Sequence, residues 1–219
     1  MKKIIIFLVL VSLIKPLFAT AQSPDVLIYN GKDYSIATNP LEIFFSAHPH
    51  RKPKTNIHSS GLWRGYVATL QIQDNSLYLK DIKVMYRPEG SKPGDRTKWK
   101  SVIKDTFPKL EDRVCSFYSG LLILRKGKVM HYVHMGYSSV YENYTLLRIK
   151  NGKLMKEKHL SGKEYFMFKK RQFKEYQKSD EYEKSVERML KDGGNISEIE
   201  KFLFDYEIDY TGKYLLDEI

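Results

Sequence analysis

Between residues 25 and 160, apolar and polar side chains alternate in short runs; past residue 162 the apolar positions fall three and four apart. The first pattern marks strands with one buried face, and the second marks amphipathic helices. Asn30-Gly31 separates two short runs, 25–29 and 32–37, and predicts a hairpin, because a type I′ turn needs positive φ at both central residues. Asn39-Pro40 reads as a cap followed by proline at the first helical position. Leu41, Phe44 and Phe45 then predict a short helix ending at Ala47. Residues 48–58 are polar, hold two prolines and read as loop.

Two long strands, 62–73 and 77–86, flank Asp74-Asn75. On the first, Leu62, Arg64, Tyr66, Ala68, Leu70 and Ile72 share a face. The second is apolar at Leu77 and Leu79, then at Ile82 and Val84. That change of phase predicts a bulge near Lys80-Asp81. Residues 87–98 read as an exposed loop, and 99–110 as a stretch with one helical turn before Pro108. Three more strands are expected at 113–125, 128–135 and 139–150, punctuated by Lys126-Gly127 and Gly136-Tyr137. Asn151-Gly152 turns into another at 153–160. Short connections demand antiparallel neighbours. The expected body is a mainly antiparallel, twisted sheet or open barrel of roughly seven strands.

Residues 163–191 are rich in Lys, Glu, Tyr and Phe, with a helical stripe at Tyr182, Val186, Met189 and Leu190 that Gly193-Gly194 ends. Ser197 and Glu200 fit a capping box for a last helix carrying Ile199, Phe202, Leu203 and Tyr206. The fold class is therefore α+β, with a β-rich domain over 22–160 and a C-terminal helical element over 161–219 packed on or beside it.

The first 21 residues add an address. Lys2 and Lys3 precede an apolar run from Ile4 to Ile14 broken only by Ser12, and Ala19-Thr20-Ala21 offers small residues for cleavage before Gln22. This is the pattern of a cleavable signal peptide, placing the protein in the periplasm or the medium. The run is shorter than the ~20 apolar residues of a membrane span, so none is expected in the mature chain. No cysteine follows the cleavage site to carry a lipid. Cys115 is the only cysteine in the chain, so no internal disulfide can form. It sits in an apolar run and reads as a buried hydrophobe.

Charge narrows the partners. The chain carries a net +11, of which +8 remains after residues 1–21 are removed. Residues 197–219 hold seven acids against two bases, so the rest is more basic still. An exported protein has little use for nucleic acid, so an unknown protein or an anionic envelope component is the expected partner.

Four groups of residues invite a chemical reading. Arg64, on a face shared with Tyr66, needs a partner or a place at the rim. It suits an anion or carboxylate clamp, or an internal ion pair to an acid such as Glu142 or Asp81, and the ion pair is favoured. His131 and His134 point to opposite faces if their segment is a strand, so they cannot share a metal; His134 is a base only if a substrate proton lies within reach. His48, His50 and His58 sit among Arg51, Lys52 and Lys54, which repel a cation, and no metal is expected. The same bases, with Lys92, Arg96 and Lys98, form an anion patch if the two loops share one end. Ser119 lacks a nucleophile elbow, and no spacing requires Cys115 and His134 to meet. Phosphate-binding, dinucleotide and zinc-hydrolase motifs are absent, and no cofactor is expected.

Two phrases carry a resemblance: Leu62-Trp63-Arg64-Gly65-Tyr66-Val67-Ala68-Thr69 leading to Leu77-Tyr78-Leu79, and Tyr118-Ser119-Gly120-Leu121 leading to Tyr132-Val133-His134-Met135-Gly136-Tyr137. Over residues 25–151 the chain resembles a family of uncharacterised bacterial exported proteins. The resemblance implies one module over 25–160 with an appended helical end, and no activity. Three functions follow for testing. The favoured one is a non-catalytic binding module, with Trp63, Arg64, Tyr66 and Tyr137 as ligand contacts. The second is a small hydrolase with Arg64 as clamp, His134 as base, and Tyr66, Tyr118 or Glu142 as positioning groups. The third is an immunity-like protein that binds a toxin.

Overall fold

The computed structural model describes residues 22–92, 95–134, 137–208 and 213–219; the expected signal peptide, residues 1–21, lies outside the described residues. Strand β1 (Asp25–Tyr29) pairs antiparallel with β2 (Lys32–Ile36) across Asn30 and Gly31, whose φ values of 50° and 72° are those of the expected turn. Helix α1 (Pro40–Ala47) follows, with Asn39 at its cap. Strands β3 (Tyr66–Gln73) and β4 (Ser76–Tyr86) form the long hairpin around Asp74-Asn75. Thr69 faces Asp81 and Leu70 faces Leu79, which leaves Lys80 as the extra residue of a bulge. The bulge moves the buried set from Leu77 and Leu79 to Ile82 and Val84. Next come β5 (Lys98–Ser101), a helical turn α2 (Ile103–Thr106), and strands β6 (Gly120–His131), β7 (Val140–Lys150) and β8 (Lys153–Ser161).

The strands are ordered β3-β1-β2-β6-β7-β8-β4-β5, and β3 also pairs with β4. Seven of them thus make a ring, with β5 hanging from β4. Every described pairing is antiparallel except β1 with β3. Two seams of the ring are narrow: β2 meets β6 at Ile36 and Leu124, and β4 meets β8 at Ser76 and Lys153. The result is a mixed, mostly antiparallel sheet curled into a ring rather than a regular barrel.

Two strand assignments differ from expectation. The run from Leu62 is not all strand: Ser60–Leu62 is a 3₁₀ turn, and Gly65 at φ 82° changes the chain direction before β3 starts at Tyr66. The runs expected at 113–125 and 128–135 resolve differently. Glu111–Arg113 is another 3₁₀ turn, and one strand, β6, runs through Lys126-Gly127. Gly127 permits this because its φ of 77° lets β6 bulge rather than stop, and a Cβ there would meet Glu142 Oε2 at 2.5 Å.

Alternate residues of β6 face two different cores. Leu122 and Leu124 point into the ring with Leu27, Leu70, Leu77 and Leu147, where Leu41, Phe45 and Phe107 fill one end. Leu121 and Ile123 point outward and are covered by Tyr165 and Phe168. The unbroken apolar run 121–124 therefore reflects a strand buried on both faces. The covering helix is α3 (Gly162–Tyr176), followed by α4 (Asp180–Lys191) and α5 (Ile196–Phe202). Tyr176, Ile199, Leu203 and Ile208 hold these helices together in a third cluster. The last helix continues through a π-helical turn, Leu203–Glu207.

The capping box lies at Ser161 and Glu164 rather than at Ser197 and Glu200; α5 is instead capped by Asn195, which accepts from the Glu198 amide. Ser161 Oγ accepts from the Glu164 amide, and the Glu164 carboxylate accepts from the Ser161 amide. This backbone bond holds the Glu164 carboxyl below its usual range. Ser161→Ala removes half of the box and is expected to cost about 1 kcal/mol, read as a fall in the urea midpoint.

Candidate functional site

Arg64 lies in the turn between the 3₁₀ segment and β3, and its guanidinium is directed inward. Its Nη2 donates to the Ser23 carbonyl at 2.9 Å and to Asp25 Oδ1 at 3.2 Å, and its Nη1 donates to Tyr137 Oη at 3.1 Å. Both charged side chains of the pair are 0% exposed. Asp25 Oδ1 also accepts from the Ala68 amide at 2.8 Å, so the pair anchors the start of the parallel β1–β3 contact. Tyr137 Oη in turn donates to Asn39 Oδ1 at 3.0 Å, which explains why Asn39 caps α1 without a side-chain bond to it. Burial pushes the Asp25 carboxyl up to about 6, against the pull of Arg64. Burial likewise raises the Tyr137 phenol to about 12 and the Tyr66 phenol well above its ordinary value. These groups form a closed, water-excluded knot.

The acid that completes the pair is Asp25, not Glu142 or Asp81. Asp81 accepts from Ser101 Oγ, and Glu142 is exposed and accepts from the Lys128 amide at 3.3 Å. The other expected residues are also placed. Tyr66 Oη donates to Glu42 Oε1 at 2.7 Å, and Glu42 pairs with Lys52. Trp63 is 57% exposed, with the Lys52 ammonium 5.5 Å from its ring. Tyr118 is buried and donates to the Leu121 carbonyl, and burial raises its phenol. His134 is exposed beyond the end of β6 and bonds to Tyr132 Oη at 2.9 Å. Tyr118, His134 and Glu142 are thus each bonded to partners outside the Arg64 knot. Cys115 is buried and its thiol is pushed up to about 12.

The basic loops do come near each other, since Thr55 Oγ1 donates to the Met85 carbonyl at the end of β4. Two of their cations are engaged: Lys52 with Glu42, and Arg51 over the rings of Phe44 and Phe107. Among the described residues no three His, Cys, Asp or Glu side chains are grouped to hold a metal, and no helix is long and apolar enough to cross a membrane.

An open site lies on the other side of Tyr137. A pocket of about 360 Å³ separates the far end of the β6–β7 ribbon from α3 and the π-helical turn. Tyr137, Tyr144 and Tyr165 are its buried walls, and Val140, Phe166 and Lys201 are exposed at its rim. The rings of Tyr144 and Tyr165 stack at 3.9 Å. The π-helical turn brings in Phe204 and Asp205, fastened by Ser138 Oγ donating to the Asp205 carbonyl at 2.8 Å. Turns of this kind often mark functional sites.

Arg125 lines the same pocket. On β6 it continues the outward row of Leu121 and Ile123. Its guanidinium carbon lies 5.5 Å from the Tyr137 ring centroid and 5.1 Å from that of Tyr141. Its Nε is buried with no hydrogen-bond partner, and among the described residues it makes no ion pair. Asp205, the one acid lining the pocket among the described residues, is paired with Lys201. Lys169 donates to the Asp205 carbonyl and lies over Phe204. The site therefore joins aromatic walls to the Arg125 guanidinium.

Of the four ligand contacts expected from sequence, Tyr137 alone lines this pocket. Arg125 was the residue to find, and its signal was present: a cation at the third place of the alternating row Leu121, Ile123, Arg125. No family model, curated protein sequence or solved structure matches this chain, so the site is argued from its geometry.

Proposed function

We propose that this protein is an exported, non-catalytic binding module whose ligand site is the pocket between the β6–β7 ribbon and the C-terminal helices. The observation that carries the reading is Arg125, an uncommitted guanidinium set in an aromatic-walled pocket of ligand size. Export rests on the charge, apolar run and small residues of 1–21. The hydrolase alternative needs a clamp, a base and positioning groups around one reacting atom. Arg64 is sealed against Asp25, and His134, Tyr118 and Glu142 are bonded elsewhere, so its support is weaker. A concave pocket of this size also favours a small ligand over a flat protein surface as the first partner.

The test uses a neutral apolar fluorophore, N-phenyl-1-naphthylamine, titrated into the purified protein. Saturable one-to-one binding is expected. Val133→Trp, which fills the pocket from its lining, should weaken that binding at least about tenfold, or 1.4 kcal/mol, with an unchanged unfolding midpoint. No saturable binding, or binding that Val133→Trp leaves intact, overturns the reading.

A further inference from the structure

The geometry points to a single-tailed amphiphile with an anionic oxygen head, a carboxylate or a phosphate, as the ligand class, with Arg125 as the residue that binds the head; we propose this on the footing that the pocket is the binding site. A strand whose outward row is Leu121 and Ile123 places Arg125 where a third apolar side chain would ordinarily lie. Arg125 is half-buried, its Nε has no hydrogen-bond partner, and among the described residues no acid pairs with it, so an anionic oxygen in the pocket would gain a charge-assisted bond there. Tyr137 and Tyr141 supply ring faces at 5.5 and 5.1 Å, which fix its position but neutralise none of its charge. Tyr137 is itself anchored, through its hydroxyl, to Arg64 and Asn39. The fork is therefore preorganised on a rigid wall, and a planar carboxylate or a phosphate is its natural complement.

Charge in the pocket agrees. Arg125, Lys169 and Lys201 line the pocket, and among the described residues Asp205 is the acid that lines it with them. An anionic oxygen head can take charge-assisted hydrogen bonds from the Arg125 fork, which a cationic head cannot. The walls specify the rest of the ligand. Tyr144, the cross-strand neighbour of Arg125, and Tyr165 and Phe204 present apolar ring surface in the same pocket. Val140 and Phe166 extend that surface to the rim, where both are at least 40% exposed. An apolar chain running from Arg125 past these rings covers them as it leaves the pocket.

Competition against the same fluorophore tests the proposal with laurate, dodecyl phosphate, dodecanol and dodecyltrimethylammonium, which share a tail and differ in the head. Laurate or dodecyl phosphate is expected to displace the fluorophore at a concentration at least about tenfold below that of dodecanol, with the ammonium weakest. The tighter of the two acids identifies the head as carboxylate or phosphate. Arg125→Gln should bring laurate, dodecyl phosphate and dodecanol within about twofold of one another, each read against that variant's own fluorophore affinity, and Arg125→Lys should keep part of the preference. Equal displacement by all three in the unaltered protein overturns the anionic head without any variant. A preference that survives in folded Arg125→Gln overturns the role of Arg125. A fluorophore that binds, with competitors that show no preference for charge, refutes this proposal alone. Absence of fluorophore binding refutes the binding-module reading beneath it.

Discussion

Arg64→Met is expected to lower the unfolding free energy at pH 7 by about 3–5 kcal/mol, the usual cost of leaving one partner of a buried ion pair alone. The reason is specific to Asp25. Its Oδ1 keeps the Ala68 amide, but its Oδ2 is buried with no partner, so Arg64 is the one cation paired with it among the described residues. Methionine fills a similar volume and supplies no charge. The same variant also strips a donor from Tyr137 Oη and from the Ser23 carbonyl. Adding Asp25→Asn removes the stranded charge and should return a large part of the loss. Urea unfolding of the two single variants and the double variant measures this coupling. Single-variant losses that simply add would show that the pair does not act as a unit. Because the site behind Tyr137 is closed, binding of the neutral fluorophore by folded Arg64→Met should change far less than its stability.

The second large effect is a dependence of stability on pH with the opposite sign to ordinary acid denaturation. Asp25 is raised by burial from 3.8 to about 6, so the folded state holds its proton over a range where the unfolded chain has released it. Its contribution to stability is fully present below about pH 4 and is lost as the pH rises through about 6. At roughly 1.4 kcal/mol per pH unit of difference, the effect is on the order of 2–3 kcal/mol. Other carboxylates act the opposite way, so the comparison is with Asp25→Asn, which has no proton to release at this site. The unfolding free energy of the unaltered protein, relative to that variant, should fall between pH 4 and pH 6. A flat or rising difference would show that Arg64 holds the carboxylate charged throughout.

Both effects concern a residue that periodicity alone misplaced. Arg64 was read on the face of a strand beginning at Leu62, because 62, 64, 66, 68 and 70 alternate without a break. Gly65 ends that strand early, since its φ of 82° is a turn conformation. The need for a partner was legible, because a cation among apolar residues requires one; the identity of the partner was not. Asp25 is 39 residues away and arrives through the parallel pairing of β1 with β3. Local chemistry was far more readable. The Asn-Gly turns at 30–31 and 151–152 and the phase change at Lys80 each depend on neighbouring residues only, and each is found where it was expected. Arg125 shows the reverse failing. Its row was in plain sight, but the pocket it faces is made by helices more than 35 residues further along the chain.

The narrow seams of the ring have a consequence for how the chain assembles. Among the described residues, strands β1 to β5 pair with one another within residues 25–101 and β6 to β8 within 120–161; the two groups meet at Ile36 with Leu124 and at Ser76 with Lys153, and β4 also bridges from Tyr78 to Val114. Within each half most pairs are hairpins that close short loops, the parallel pairing of β1 with β3 being the exception, while the β4–β8 seam joins residues 77 positions apart. Long closures are slow and come after local ones. The expected order of assembly is therefore hairpins first and the two seams last. The pocket belongs largely to the second half and its helices, and its back wall, Tyr137, is the residue that reaches across to Arg64 and Asn39 in the first.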